Sequence, residues 1–400
     1  MIAHVSKWVL PVNRHPIRDG AVVVEGDRIR AVGPARKVLA GFRDLVCDHG
    51  SGAILPGLVN CHVHLEFSAL AGLIPPQPVW DKWLQATLAA AGDLAAGEVA
   101  AGIVRGLGEL RRGGAALVGE VSNTGASWPF LAKANLAYHL FYECLGFNLL
   151  EPFELPEEFP WFADPEVEAS PWVSAAAHAP YSVSAALFQA VAHWNRRRSR
   201  PQMVHLAESR GEIDFLAAGN KFFERVLKSR GRWVEGYQPP GVGPAAYLES
   251  LGFLGPLTLA VHGTRLDVTE AARLARTGTW LVLCPRANRF TGAGTPPVAR
   301  LIREGVPLAL GSDSLAGNWD LNLFAEMRWL HRNFPAYPGD LWLRLGTLNG
   351  AAALGRDQDL GSLEPGKKAA LGFIPLRGAR DDFWRELFVA GSAGKFRWLA

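Results

Sequence analysis

Cysteine is scarce in this chain. Of 400 residues only 4 are cysteine (Cys47, Cys61, Cys144 and Cys284), too few and too scattered for a disulfide framework. An excess of one charge sign is also missing, since 41 Lys+Arg stand against 38 Asp+Glu for a formal charge of +3. That balance leaves no electrostatic footprint for nucleic acid. No run qualifies as a membrane span: the uncharged stretch 169–195 is broken by Pro171, Pro180, His178 and several serines. Residues 1–20 hold no apolar core ahead of a small-residue cleavage site, so no signal peptide is read there and the cytoplasm is the expected compartment. What the chain has in quantity is apolar surface. Its 49% hydrophobic content is enough to bury a large core and excludes a disordered protein.

The two ends read as β structure. Residues 20–33 are a β-branched run, a Gly-Asp turn and a second alternating run, and residues 361–374 give a turn followed by a short strand. Between them, short apolar runs (171–177, 202–205, 257–261, 280–283 and 306–310) alternate with alanine-rich helical stretches (184–198, 212–218 and 269–276). Strand–helix alternation over this length predicts an α/β fold with a parallel sheet. A closed (β/α)8 barrel fits best and a doubly wound open sheet is the alternative.

Several short motifs fail. Residues 361–367 spell G-x-x-x-x-G-K, but Lys368 stands where Mg²⁺ binding needs Ser or Thr, and Pro365 removes a backbone donor. His64-Leu-Glu66 matches half of a zinc-deaminase signature, yet no P-C-x-x-C follows it. There is no H-E-x-x-H and no G-x-S-x-G. One constellation survives. His62 and His64, two apart after an apolar run, point to one face of a strand. His178, His205, His262 and Asp313 each follow an apolar run, at the strand ends where a parallel barrel builds its active site. Three imidazoles and one carboxylate suit a borderline divalent ion, Zn²⁺ or Fe²⁺, with a position left for water. Glu208, three residues after His205, is placed to move a proton, or is simply an acidic residue in a helix's first turn.

These residues resemble the amidohydrolase superfamily, in its branch of deaminases and chlorohydrolases acting on N-heterocycles. The matching pieces are Leu55-Pro-Gly-Leu-Val-Asn-Cys-His-Val-His64, His178-Ala-Pro-Tyr-Ser182, His205-Leu-Ala-Glu208, Val261-His262-Gly263, Cys284-Pro-Arg-Ala-Asn288 and Leu310-Gly-Ser-Asp313. The tail pieces Asn349-Gly-Ala-Ala-Ala-Leu-Gly355 and Gly361-Ser-Leu-Glu-Pro-Gly-Lys367 fit as well. The resemblance implies a distorted (β/α)8 barrel over residues 58–349 and a small β-sandwich built from 1–57 plus 350–400. It also implies that His62, His64, His205 and Asp313 hold one divalent ion, Zn²⁺ before Fe²⁺. His262 would orient and polarise the attacking oxygen. Glu208 would shuttle its proton to the ring nitrogen, and Asp313 would relay one to departing ammonia. No lysine occurs between Lys133 and Lys221 to bridge two metals, which favours the mononuclear type, while Glu143 would be a bridging carboxylate in another subtype. Cys61 and the Ala369-Ala-Leu371 segment depart from the usual pattern.

Within that branch the segments around Cys284 and Asp313 are most similar to adenine-nucleoside-type deaminases, the aminodeoxyfutalosine deaminases among them. His178, Arg286 and Glu143 are the candidate substrate contacts. Arg286 would meet a carboxylate or a ribose oxygen, or else serve as a structural bridge, and His178 has a core role as its alternative. The expected partner is a small heterocycle, with no nucleic acid and no membrane, and a homodimer is allowed. Two other functions stand beside deamination: hydrolysis of a cyclic amide or C–Cl bond, and metal binding without catalysis.

Overall fold

The computed structural model describes residues 1–378 and 382–399. Residues 379–381 and 400, within the C-terminal segment expected to complete the terminal β unit, lie outside the described residues.

The chain ends meet in one seven-stranded sheet. Its N-terminal strands are β1 (Ile2–Val9), β2 (Ile17–Glu25), β3 (Arg28–Pro34), β4 (Leu45–Asp48) and β5 (Gly52–Pro56). The expected Gly-Asp turn joins β2 to β3, with Gly26 at φ +60, a conformation glycine adopts without steric cost. The barrel follows: β6 (Leu58–Val63), β7 (Ala115–Ser122), β8 (Ala137–Cys144), β9 (Val173–Ala177), β10 (Gln202–Leu206), β11 (Thr258–His262), β12 (Trp280–Leu283) and β13 (Leu308–Leu310). From the C-terminal segment β14 (Leu371–Pro375) pairs antiparallel with β5, and β15 (Arg397–Trp398) completes that edge. Residues 350–400 do not all join this sheet, however. Helix Leu348–Ala353 packs on β6 and β13, and helix Phe383–Ser392 on the barrel helix Leu323–Asn333.

The eight barrel strands pair in sequence order, all parallel. Strands such as β9, β10 and β11 are buried along their whole length, because helices cover the outside and side chains fill the inside. The helices start where the sequence offers a cap: Ser184 accepts the Leu187 amide, and Asp267 accepts those of Thr269 and Glu270. The β7–β8 crossover carries only the four-residue helix Trp128–Leu131, and the β8–β9 crossover only the short pieces Leu155–Glu158, Pro160–Ala163 and Pro165–Ala169.

Side-chain and backbone bonds close the seam between β6 and β13. Ser312 and Asp313 donate their amides to the His62 carbonyl at 3.1 and 3.0 Å. The buried Asn60 donates to Ser312 Oγ at 2.7 Å and accepts the Ser312 amide at 3.1 Å. On the neighbouring pair β7 lies against β6 so closely that a Cβ on Gly119 would stand 2.3 Å from the Cys61 carbonyl oxygen. Backbone cannot swing aside, so Gly119→Ala is expected to lower stability by about 1–3 kcal/mol. A urea melt checks this, and an unchanged midpoint would contradict the close approach.

Candidate active site

The C-terminal ends of β6, β10, β11 and the segment after β13 bring His62, His64, His205, His262, Glu208 and Asp313 together, all buried. Three backbone positions there are left-handed without being glycine: Ala207 (φ 51), His262 (φ 76) and Asp313 (φ 58). Such residues are uncommon and cluster at functional sites, where surrounding structure enforces them. Each lies at a point where a strand ends and a polar side chain must turn inward.

The donor atoms converge. His64 Nε2 is 3.4 Å from His205 Nε2, and Asp313 Oδ1 is 3.8 Å from His62 Nε2 and 3.9 Å from His64 Nε2. Ligands about 2.1 Å from a shared tetrahedral centre stand about 3.4 Å apart, which is the His64–His205 spacing, with the Asp313 oxygen standing somewhat wider at 3.8 and 3.9 Å. Hydrogen bonds on the far side of two of the rings fix which nitrogen faces inward. His205 Nδ1 donates to the His178 carbonyl at 2.8 Å, leaving Nε2 with a lone pair. His262 Nδ1 donates to Asn288 Oδ1 at 2.8 Å, again freeing Nε2. His62 Nε2 is buried with no hydrogen-bond partner among the described residues. Inward-facing lone pairs this close repel one another unless a cation lies among them. The residues therefore fit a divalent ion held by His62, His64, His205 and Asp313.

Electrostatics agree with neutral imidazole ligands. Burial lowers every ring in the cluster: His62 and His205 well below the usual histidine value, His64 to about 3 and His262 by a smaller amount. Burial pushes the Asp313 carboxyl up to about 6 and Glu208 up to about 7. Glu208 Oε1 is 3.8 Å from His262 Nε2, on the wall of the same cavity.

That cavity, about 590 Å³, is also lined by Glu143, His178, Trp80, Trp83, Tyr181 and Phe223. Of the candidate substrate contacts, His178 and Glu143 thus reach it. His178 Nδ1 donates to Ser182 Oγ at 2.6 Å, because the serine hydroxyl is itself donated to the Ala179 carbonyl, so its Nε2 remains an acceptor. Glu143 Oε1 lies 3.4 Å from His205 Nδ1, Oε2 accepts from Asn123 at 2.6 Å, and burial raises this carboxyl to about 8. Arg286 does not line the cavity. Its fork grips Asp320 at 2.7 and 2.8 Å and its amide donates to Glu326, so the substrate-contact reading of Arg286 is set aside for a structural bridge.

Residues 53–391 match the amidohydrolase family. The chain belongs to that family. A relative from Syntrophobacter fumaroxidans, a 5-methylthioadenosine/S-adenosylhomocysteine deaminase, is 30% identical over 382 residues, covering 90% of this chain and 80% of the relative. A zinc-bound adenosine deaminase from Xanthomonas campestris superposes with a TM-score of 0.80 at 25% identity, covering 99% of this chain and 90% of the other. An aminofutalosine deaminase from Helicobacter pylori, solved with methylthio-coformycin, shares the fold at a TM-score of 0.83 and 20% identity, covering 99% and 100%. This amidohydrolase is therefore an enzyme on the (β/α)8 barrel its sequence pattern implied, and no helix among the described residues is long and apolar enough to cross a membrane.

Sequence reasoning missed the groups that hold these side chains in place. Asn288 stood inside a quoted motif but was given no role. Glu212 is buried and accepts the Ala207 and Glu208 amides at 2.8 and 2.9 Å, locking the left-handed turn that aims Glu208. Its signal was Ser209-x-x-Glu212, a capping-box spacing, though the carboxylate reaches back beyond the cap. Glu120 does the same for His64, with both oxygens 3.1 Å from the Leu65 amide. Glutamine offers one acceptor where Glu212 offers two. Glu212→Gln is thus expected to cost about 10–100-fold in kcat with the fold retained, and steady-state kinetics alongside circular dichroism checks it.

Proposed function

We propose that this amidohydrolase is a hydrolytic deaminase of an aminated N-heterocycle of the adenine-nucleoside type, using one divalent ion, Zn²⁺ before Fe²⁺. The observation that carries the reading is Glu208: a buried carboxyl raised to about 7, 3.8 Å from His262 Nε2 and sharing its cavity with the imidazole and Asp313 donors. The similarity to a deaminase of 5-methylthioadenosine and S-adenosylhomocysteine supports the substrate class.

His62, His64, His205 and Asp313 would hold the ion, which when bound supplies Lewis acidity that makes water a nucleophile near neutral pH. The protein's own groups do the rest. His262 Nε2, its ring fixed by Asn288, orients the attacking oxygen at the amine-bearing carbon. Glu208 accepts the water proton and delivers it to the adjacent ring nitrogen, so that nitrogen gains a proton as the carbon gains oxygen. Asp313 takes the second proton from the added hydroxyl and passes it to the amine. The C–N bond then breaks, ammonia leaves and a carbonyl remains. The aromatic wall of Trp80, Tyr181 and Phe223 excludes water and offers faces to a planar ring.

Ammonia release by zinc-loaded protein from adenosine, 5-methylthioadenosine and S-adenosylhomocysteine tests the reading. Turnover of a cyclic amide or chlorinated ring without ammonia would replace it with the alternative hydrolase. Glu208→Gln is expected to lower kcat about 10²–10⁴-fold while metal content, read by elemental analysis, stays at one equivalent. As the active base must be ionised, kcat/KM should be full above the Glu208 value and fall tenfold per unit as pH drops below about 7. A flat acid limb would deny Glu208 that role.

A further inference from the structure

The end of the barrel away from the metal cluster holds a second group of buried polar side chains, which the deamination chemistry does not use. His139 is the third residue of β8 and Ser174 the second of β9, so both lie near the N-terminal floor. Strand alternation points His139 into the barrel, on the face it shares with Phe141 and with Glu143 of the active-site cavity. The His139 and Phe141 rings stand 4.7 Å apart, and Phe141 packs with Met203, Leu259 and Leu354. His139 Nε2 bonds Ser174 Oγ at 2.7 Å, while Nδ1 is buried with no hydrogen-bond partner among the described residues.

Two buried arginines reach the same floor, Arg200 and Arg356. Burial first, and then the charges of these two, lower the His139 imidazole to about 3, so the ring is neutral. Arg200 spends its fork on the Val173 and Glu168 carbonyls, at 3.0 and 2.7 Å. Arg356 follows helix Leu348–Ala353 in a turn where Gly355 is left-handed and the Arg356 amide donates to the Ala351 carbonyl at 2.7 Å. Its guanidinium lies 4.0 Å over the Trp172 ring, and Nε is buried without a partner. Among the described residues Arg356 makes no ion pair and no side-chain hydrogen bond. The carboxylates that act on the two arginines are already engaged elsewhere, Glu168 with Arg198 at 2.8 Å and Asp359 with Arg28 at 3.1 Å. A guanidinium withdrawn from water without a counter-charge is costly, and stacking on an indole offsets only part of that cost.

We propose that His139 Nδ1 and Arg356 Nε hold a small monovalent anion of the halide type at the barrel floor. With the Ser174 hydroxyl donating to Nε2, the imidazole proton sits on Nδ1, and both orphaned nitrogens are then donors. A water would satisfy the nitrogens and leave the charge; an anion answers both. Arg356 stands in the connection from helix Leu348–Ala353 to β14, so the ion ties β8 and β9 to the segment that returns to the terminal sheet. Its role is in stability, as befits the end of a parallel barrel opposite the active site. The proposal is independent of the deaminase reading.

Melting of the zinc-loaded protein in sodium chloride against sodium gluconate, at one ionic strength, reads the site. Chloride is expected to raise the midpoint saturably by about 1–3 °C over gluconate, because a ligand held only by the folded state stabilises it. Arg356→Gln should lose that increment and Arg356→Lys keep part of it, with zinc content unchanged in both. In crystals of the unaltered protein grown with sodium bromide, an anomalous peak is expected within hydrogen-bond reach of His139 Nδ1 and Arg356 Nε. That measurement decides the site even where a variant fails to fold. Equal midpoints in the two salts, an equal chloride increment in folded Arg356→Gln, or a water without anomalous signal at that place overturns the proposal. A bromide peak with no change in melting marks an adventitious ion only and overturns it as well.

Discussion

Inward-facing lone pairs at the buried end of the cavity are the constraint around which this molecule is organised. Imidazole nitrogens of His62, His64 and His205 and the Asp313 carboxylate point at one another, with the barrel wall behind them. Nothing within the protein neutralises that convergence, so folding must force it. The forcing comes from the seam: Asn60, Ser312 and the His62 carbonyl bind β6 to the segment after β13, placing Asp313 opposite the histidine pair. Left-handed backbone at Ala207, His262 and Asp313 is the local cost, held in place by amide acceptors around the rim.

Much of this was legible in the sequence, because periodicity and chemistry reinforced each other. A spacing of two put His62 and His64 on one face, and apolar runs ending in His205, His262 and Asp313 marked strand ends where a parallel barrel gathers its polar groups. The observed strands fall on the anticipated runs; those at 202 and 280 begin where expected, and the other three begin one or two residues later, as with Val173–Ala177 against 171–177. What could not be read were partners fixed by tertiary distance alone. Asp320 lies 34 residues from Arg286, and nothing in either segment announces the fork that removes Arg286 from the cavity. Nor does sequence tell that helices Leu348–Ala353 and Phe383–Ser392 side with the barrel while the strand between them joins the terminal sheet.

A recurring device underlies the precision of the rim. Buried glutamates accept backbone amides where the chain leaves regular structure: Glu120 at Leu65, Glu212 at Ala207 and Glu208, Glu270 at Ala245 and Ala246, Glu326 at Arg286. Burial raises all four carboxyls, to about 8 for Glu212 and about 7 for Glu326. In Glu212 and Glu270 two oxygens on one rigid group hold two amides in fixed relation, which water cannot do. Loops at a barrel mouth are ordinarily its softest part; here they are pinned from beneath.

The antiparallel ladder of Gly52–Pro56 with Leu371–Pro375 also governs how the molecule is made. Roughly 300 residues separate the two strands, so a ribosome adding 5–20 residues per second leaves the earlier one without its neighbour for about 15–60 s. Throughout that interval an apolar strand presents an open edge, the form most prone to joining another chain. The edge of Gly52–Pro56 is thus covered only once Leu371–Pro375 has been made, so the terminal sheet is the last part of the fold that synthesis can complete.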